Sequence, residues 1–164
     1  MRRVVTIGVY DWDLRSYLAA LRGADVRVLL DVRQRRGVRG PRYAWANSMR
    51  LQRALADAGI GYQHHRELAP TTELRQLQYA EDARMGVGKR SRVELAPEYV
   101  ARYTLEILDH ADLHALAQQL PEGGASALFC DEADPEACHR SLIASRLAET
   151  EDLVVAHLRP SAAG

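Results

Sequence analysis

The segment Ser126–Leu147 restricts the fold more than any other stretch of the chain. It reads Ser-Ala-Leu-Phe-Cys-Asp-Glu-Ala-Asp-Pro-Glu-Ala-Cys-His-Arg-Ser-Leu-Ile-Ala-Ser-Arg-Leu. Ala127–Cys130 is a short apolar run behind Gly123-Gly124, the pattern of a strand buried on both faces of a parallel sheet. Asp134 followed by Pro135 marks a helix start. The Asp caps the first amides, and the Pro presets φ where its missing N–H costs nothing. Cys130, Asp131 and Glu132 are therefore expected at the C-terminal end of a strand. Cys138, His139 and Arg140 are expected in the first turn and a half of the helix, with Cys138 near its fourth residue. In open α/β sheets that edge is where ligands bind. Both cysteines of the chain lie in this unit.

The remaining pattern supplies the other half of such a fold. Arg3–Tyr10 reads as a first buried strand. Asp13 caps a helix with Leu14, Tyr17, Leu18 and Leu21 on one face, and Val26–Val32 is a second strand. Residues 34–46 form a loop punctuated by Gly37, Gly40 and Pro41. A helix follows from Asn47 or Ser48, with Leu51, Ala54, Leu55 and Ala58 on one side, and Ile60–His65 is a third strand. After Pro70 the pattern is helical to about Arg84. Met85–Arg92 is a second basic loop, and Pro97 opens a long helix to about Leu120. Leu153–His157 is a last strand. The expectation is a single α/β domain over residues 1–158, with a disordered tail at 159–164. It is a three-layer, mainly parallel, five-stranded Rossmann-like sheet with helices on both faces. If residues 66–124 carry the chain back across the sheet, the strand order is 3-2-1-4-5, with the first and focal strands adjacent. Gly8-Val9-Tyr10, Asp31–Arg33, His64–Arg66 and Cys130–Glu132 then converge on one rim.

Composition excludes some classes. No apolar run approaches the ~20 residues of a membrane span, and Val4–Tyr10 is too short for a signal sequence. Two cysteines make no disulfide framework, so a cytoplasmic location without membrane contact is expected. The zero net charge hides an asymmetry. Residues 1–53 hold twelve Arg against four Asp, a balance of +8, and residues 54–164 carry −8. Seven of those Arg lie between Arg33 and Arg53 with no acid among them. A basic face of this kind meets phosphate or nucleic acid.

Candidate chemistry gathers at the rim. Cys138 sits near a helix N-terminus beside His139 and Arg140, surroundings that lower a thiol pKa and make a nucleophile. Asp134 and Glu136 oppose that field, and a helical His139 points about 100° away from Cys138. A packed, half-buried cysteine is the plain alternative. Cys130, Cys138 and His139 can also form a thiol or zinc site, with His64 or His65. Seven residues between the thiols fit no common zinc pattern, and no metal is assigned. A disulfide between them needs Cα atoms within ~7 Å. Arg33 and Arg140 together make a bidentate anion site, or pair internally with Asp31, Asp131 or Glu132. Glu132 is a candidate general base. His64, beside Glu67, is either an acid–base group or a structural hydrogen-bonder. Gly8, Tyr10, Asp31, Cys130 and His139 complete the expected ligand-binding set. Arg35, Arg36, Arg39 and Arg42 with Tyr43 and Trp45, joined by Lys89, Arg90 and Arg92, combine phosphate contacts with rings for base stacking. Solvated basic loops are the alternative.

Four features occur in order along residues 4–148: Thr6-Ile7-Gly8; Asp31-Val32-Arg33; Tyr62 and His64 with Glu67-Leu68; and Cys130-x-Glu132 with Cys138-His139-Arg140. Together they resemble the bacterial domain-of-unknown-function family 488. The chain departs from the commoner pattern at Val9, where many members carry His, and at Ala69-Pro70, where a Gly pair is usual. The resemblance implies a bacterial cytosolic domain and no established reaction. The residues themselves point to binding of a phosphate-bearing ligand, a nucleotide or nucleic acid, at the sheet's C-terminal rim, with acid–base or thiol chemistry there. The alternatives are a non-catalytic nucleic-acid-binding module built on loop 33–45, and a thiol or metal site. No cofactor or oligomeric state is legible.

Overall fold

The computed structural model describes residues 1–161; the last three residues of the expected tail lie outside the described residues. Strands β1 (Arg2–Ile7), β2 (Val26–Asp31), β3 (Gly61–His64), β4 (Ala125–Phe129) and β5 (Leu153–His157) form one sheet ordered β3-β2-β4-β1-β5. Every pairing is parallel. Helices α1 (Leu14–Gly23) and α2 (Ser48–Asp57) cover one face. Helices α3 (Thr72–Met85), α4 (Pro97–Glu106), α5 (Leu113–Gln119) and α6 (His139–Thr150) pack on the other. The alternation of each strand divides the core. Val4, Leu30 and Leu128 face α3–α6, while Val5, Leu29 and Phe129 face α1 and α2.

The strand order differs from 3-2-1-4-5. The returning chain inserts β4 between β1 and β2 instead of adding it outside β1, although β1 and β4 are neighbours as expected. Burial explains the choice. All five residues of β4 are buried, so it needs a partner on both edges and a helix layer on both faces. The strands left at the edges are the less buried ones, the polar Gly61-Tyr62-Gln63-His64 and the half-exposed β5.

Two helix boundaries also differ. The expected helix from Pro97 to Leu120 breaks at Ile107, passes through a 3-10 turn at Leu108–His110, and restarts at Asp112, whose carboxylate accepts the Ala115 amide at 2.9 Å. Downstream, Pro135–Ala137 forms only a 3-10 turn, and α6 begins at His139 with Cys138 as its N-cap. Cys138 is thus extended, with φ −140° and ψ 146°, and is not a helical residue.

Chains leaving β1 and β2 turn to the α1/α2 face, and those leaving β3 and β4 turn to the opposite one. A crevice therefore opens around the C-terminal end of β4, the switch point of a doubly wound sheet. No helix among the described residues is long and apolar enough to cross a membrane.

Candidate functional site

Beneath the rim runs a network of buried charges. Asp31, at the end of β2, takes a forked pair of bonds from Arg33, Nε to Oδ1 at 3.0 Å and Nη2 to Oδ2 at 2.9 Å. Tyr62 on the next strand donates its hydroxyl to the same carboxylate at 2.6 Å. Arg33 lies over the Phe129 ring at 4.5 Å and reaches Asp131 at 3.4 Å. Lys89 closes the far side of Asp131 at 2.7 Å. Burial pulls the Lys89 pKa down, but the Asp131 and Glu132 carboxylates outweigh it and hold the ammonium above the usual lysine range. A second unit joins Arg92 to Asp82 at 2.8 Å and to Glu132 Oε1 at 3.2 Å. Buried ions persist only when paired in this way.

The loop after β4 is set by backbone contacts. Asp131 O accepts the amides of Val9 and Tyr10 at 2.8 and 3.0 Å. Gly8 makes the approach possible, because a Cβ there would fall on the Glu132 carbonyl. Arg140 is fully buried and donates to the carbonyls of Glu132 and Ala133. Burial, only partly offset by Glu132, pulls its pKa down to about 10.

Cys130 and Cys138 bring their sulfurs into disulfide contact, with Cα atoms 7.3 Å apart. His139 Nδ1 lies 3.6 Å from Cys138 Sγ, and its Nε2 is 2.8 Å from the Val32 carbonyl. That carbonyl only accepts, so Nε2 carries the proton and Nδ1 presents a lone pair to the sulfurs. Burial pushes the imidazole pKa below its usual value, although the Val32 bond opposes the shift. Glu132 Oε2 is 3.1 Å from Cys130 Sγ.

Above this floor lies a cavity of about 630 Å³. Its walls are Arg75, Gln78 and Tyr79 of α3 and Tyr99 of α4, and its lip carries Arg35, Arg39, Lys89 and Arg90. Arg90 sits over the rings of Tyr10 and Tyr43 at 5.2 and 5.0 Å and donates to Arg39 O at 2.9 Å, joining the two basic loops. Arg35 and Arg39 are exposed, and among the described residues neither reaches a carboxylate, unlike Arg33, Lys89 and Arg92.

The structure brings Tyr10, Arg33, Cys130, Glu132, Cys138 and His139 together around the cavity. It separates others. Arg33 and Arg140 are spent on internal partners and do not form an open anion clamp. Asp31 is sealed beneath Arg33. His64, on the edge strand, bonds Arg33 O at 2.9 Å and does not line the cavity. Tyr43 and Trp45 are buried against α1 and α2, so their faces are closed to base stacking. Arg92 is buried in its pair with Asp82, Arg36 turns to the Tyr62 hydroxyl at 3.3 Å, and Arg42 pairs with Asp11 at 3.6 Å. The helical spacing expected to turn His139 away from Cys138 does not apply, because Cys138 is the cap. An extended cap residue and the first helical residue can face the same way.

The residues that sequence reasoning missed lie mainly on α3. Arg75, Gln78, Tyr79 and Asp82 share one face at i, i+3, i+4 and i+7, with Gln78 and Asp82 buried. A helical stripe of polar residues where apolar ones should repeat was the available signal.

Fold and site together define a doubly wound parallel α/β domain with a basic-lipped cavity over a cysteine–histidine–carboxylate floor. A family model described as domain of unknown function DUF488 matches residues 13–147. The chain belongs to the DUF488 family, as the resemblance implied, although Thr6-Ile7-Gly8 lies outside the matched span. No curated protein and no solved structure matches the chain.

Proposed function

We propose that the rim cavity binds a small phosphate-bearing ligand of the nucleotide class, with Glu132 as the acid–base group beneath it. One observation carries the reading. Exposed arginines without carboxylate partners, Arg35 and Arg39, edge a cavity of about 630 Å³. That size suits one small ligand, and guanidinium groups suit the planar oxygens of phosphate. The rings of Tyr10, Tyr79 and Tyr99 offer apolar wall for a base or sugar. A concave site favours a small ligand over a polymer, and burial of Tyr43 and Trp45 removes the rings a single strand would stack on.

The test is calorimetric binding of nucleoside mono-, di- and triphosphates and inorganic phosphate. Short single- and double-stranded DNA and RNA are measured beside them at two salt concentrations. The reading expects a nucleotide to bind and Arg35→Ala/Arg39→Ala to weaken it about tenfold or more. Glu132→Gln should keep binding and lose any turnover. Polymer binding with a steep salt slope, uncompeted by nucleotides, would instead assign the arginine loop to nucleic acid. Silence from every phosphate would sink both.

A further inference from the structure

The cavity floor holds two sulfurs and an imidazole that the anion reading leaves unused. Cys130 Sγ, Cys138 Sγ and His139 Nδ1 lie within 4.8 Å of one another, and all three residues are buried. They come from the end of β4, the cap of α6 and its first residue, so one strand–turn–helix unit holds all three.

The surroundings match those of metal ligands. His139 ties its Nε2–H to a backbone carbonyl, the support that fixes tautomer and ring orientation in metal-binding histidines. Tetrahedral zinc, with Zn–S near 2.3 Å and Zn–N near 2.0 Å, sets a sulfur-to-nitrogen edge of roughly 3.6 Å. The Cys138 Sγ to His139 Nδ1 distance is 3.6 Å. The two sulfurs are joined as a disulfide with the Cα atoms 7.3 Å apart, so an ion can enter only after reduction, when the side chains turn to the roughly 3.8 Å sulfur–sulfur edge that tetrahedral zinc sets. Each sulfur also has a donor suited to a thiolate: the Arg140 amide at 3.5 Å from Cys138, and Arg140 Nη1 at 3.6 Å from Cys130.

We propose that the reduced pair forms, with His139, a three-ligand site for a thiophilic divalent ion of the zinc class. Its fourth position faces the cavity beside Glu132. Three protein ligands and one open position is the arrangement of catalytic zinc, and a water bound there would stand next to a carboxylate able to take its proton. Reaching this state from the disulfide takes two electrons and two protons from a dithiol, which leaves as its own disulfide. Binding the ion then releases both thiol protons.

The experiment uses the full chain, reduced with dithiothreitol, desalted anaerobically and titrated with cobalt(II). The proposal expects one cobalt per chain, an intense thiolate-to-cobalt charge-transfer band, the visible bands of tetrahedral cobalt, and displacement by zinc. Cys138→Ser should weaken the charge-transfer band, and His139→Gln should weaken affinity by about tenfold or more. Circular dichroism verifies that each variant folds. A folded chain with two titratable thiols that takes up no cobalt would overturn the proposal. So would an unchanged spectrum in Cys130→Ser and Cys138→Ser. The Arg35→Ala/Arg39→Ala chain should keep the full cobalt spectrum, so the metal and anion readings fail separately.

Discussion

At the scale of single residues, the rim is governed by which charges have partners. Asp31 is fully buried, and Arg33 is only 3% exposed. Asp31→Ala therefore strands a guanidinium and removes the acceptor of the Tyr62 hydroxyl. The expected loss is about 3–5 kcal/mol, the usual cost of breaking a buried ion pair from one side. Urea denaturation measures it, and Asp31→Leu/Arg33→Met should lose less than Asp31→Ala. The same logic separates the arginines. Arg33, Arg92 and Arg140 hold the protein together, whereas Arg35 and Arg39 stand at the cavity lip without such duties. In sequence all five look alike.

At the scale of elements, the loop between β4 and α6 is built against the end of β1. Gly8→Ala would drive a Cβ into the Glu132 backbone, which cannot move aside as a flexible side chain would. Overpacking of this kind costs about 1–3 kcal/mol. The loop shift should loosen the bonds from the Val9 and Tyr10 amides to Asp131 O, and the Arg140 bond to Glu132 O. Hydrogen exchange provides the measurement: exchange at Val9 and Tyr10 should accelerate while amides in β2 keep their protection. Unchanged exchange would mean that the loop does not depend on this contact. The Asp-Pro signal at residues 134–135 opens only a 3-10 turn, in which the Asp134 side chain makes no cap bond, and the turn of the chain after Ala137 was not legible. That single turn makes Cys138 a cap, and so brings His139 to the sulfurs.

At the scale of the whole molecule, stability depends on keeping His139 neutral. Its ring packs beside Tyr103 from α4, and Glu132, Arg140 and Lys89 are the charged groups that act on it. Burial lowers its folded pKa below the unfolded value of about 6.5. On acidification the unfolded chain takes the proton first, so stability rises with pH across that window and is lost as pH falls below about 6.5. His157, also shifted downward by burial, adds in the same direction. Chelator-treated protein should show a melting temperature that drops between about pH 7.5 and pH 5.5. His139→Gln should flatten that drop, and an equally steep curve in the variant would assign the acid sensitivity elsewhere.

The chain's own pattern determined the α/β class, the five strands, the Asp13 cap of α1 and the clustering of Cys130–Glu132 with Cys138–Arg140. Apolar periodicity and cap chemistry act over a few residues, and a linear string records them. The family pattern was legible for the same reason. Tertiary structure alone decided the strand order, because placing β4 at the centre depends on covering its two faces and two edges at once. It also decided which arginines are spent on Asp31, Asp82 and backbone carbonyls, and which stay at the lip. Pairing joins residues far apart in the chain, 98 positions in the case of Arg33 and Asp131, and no local pattern carries that information.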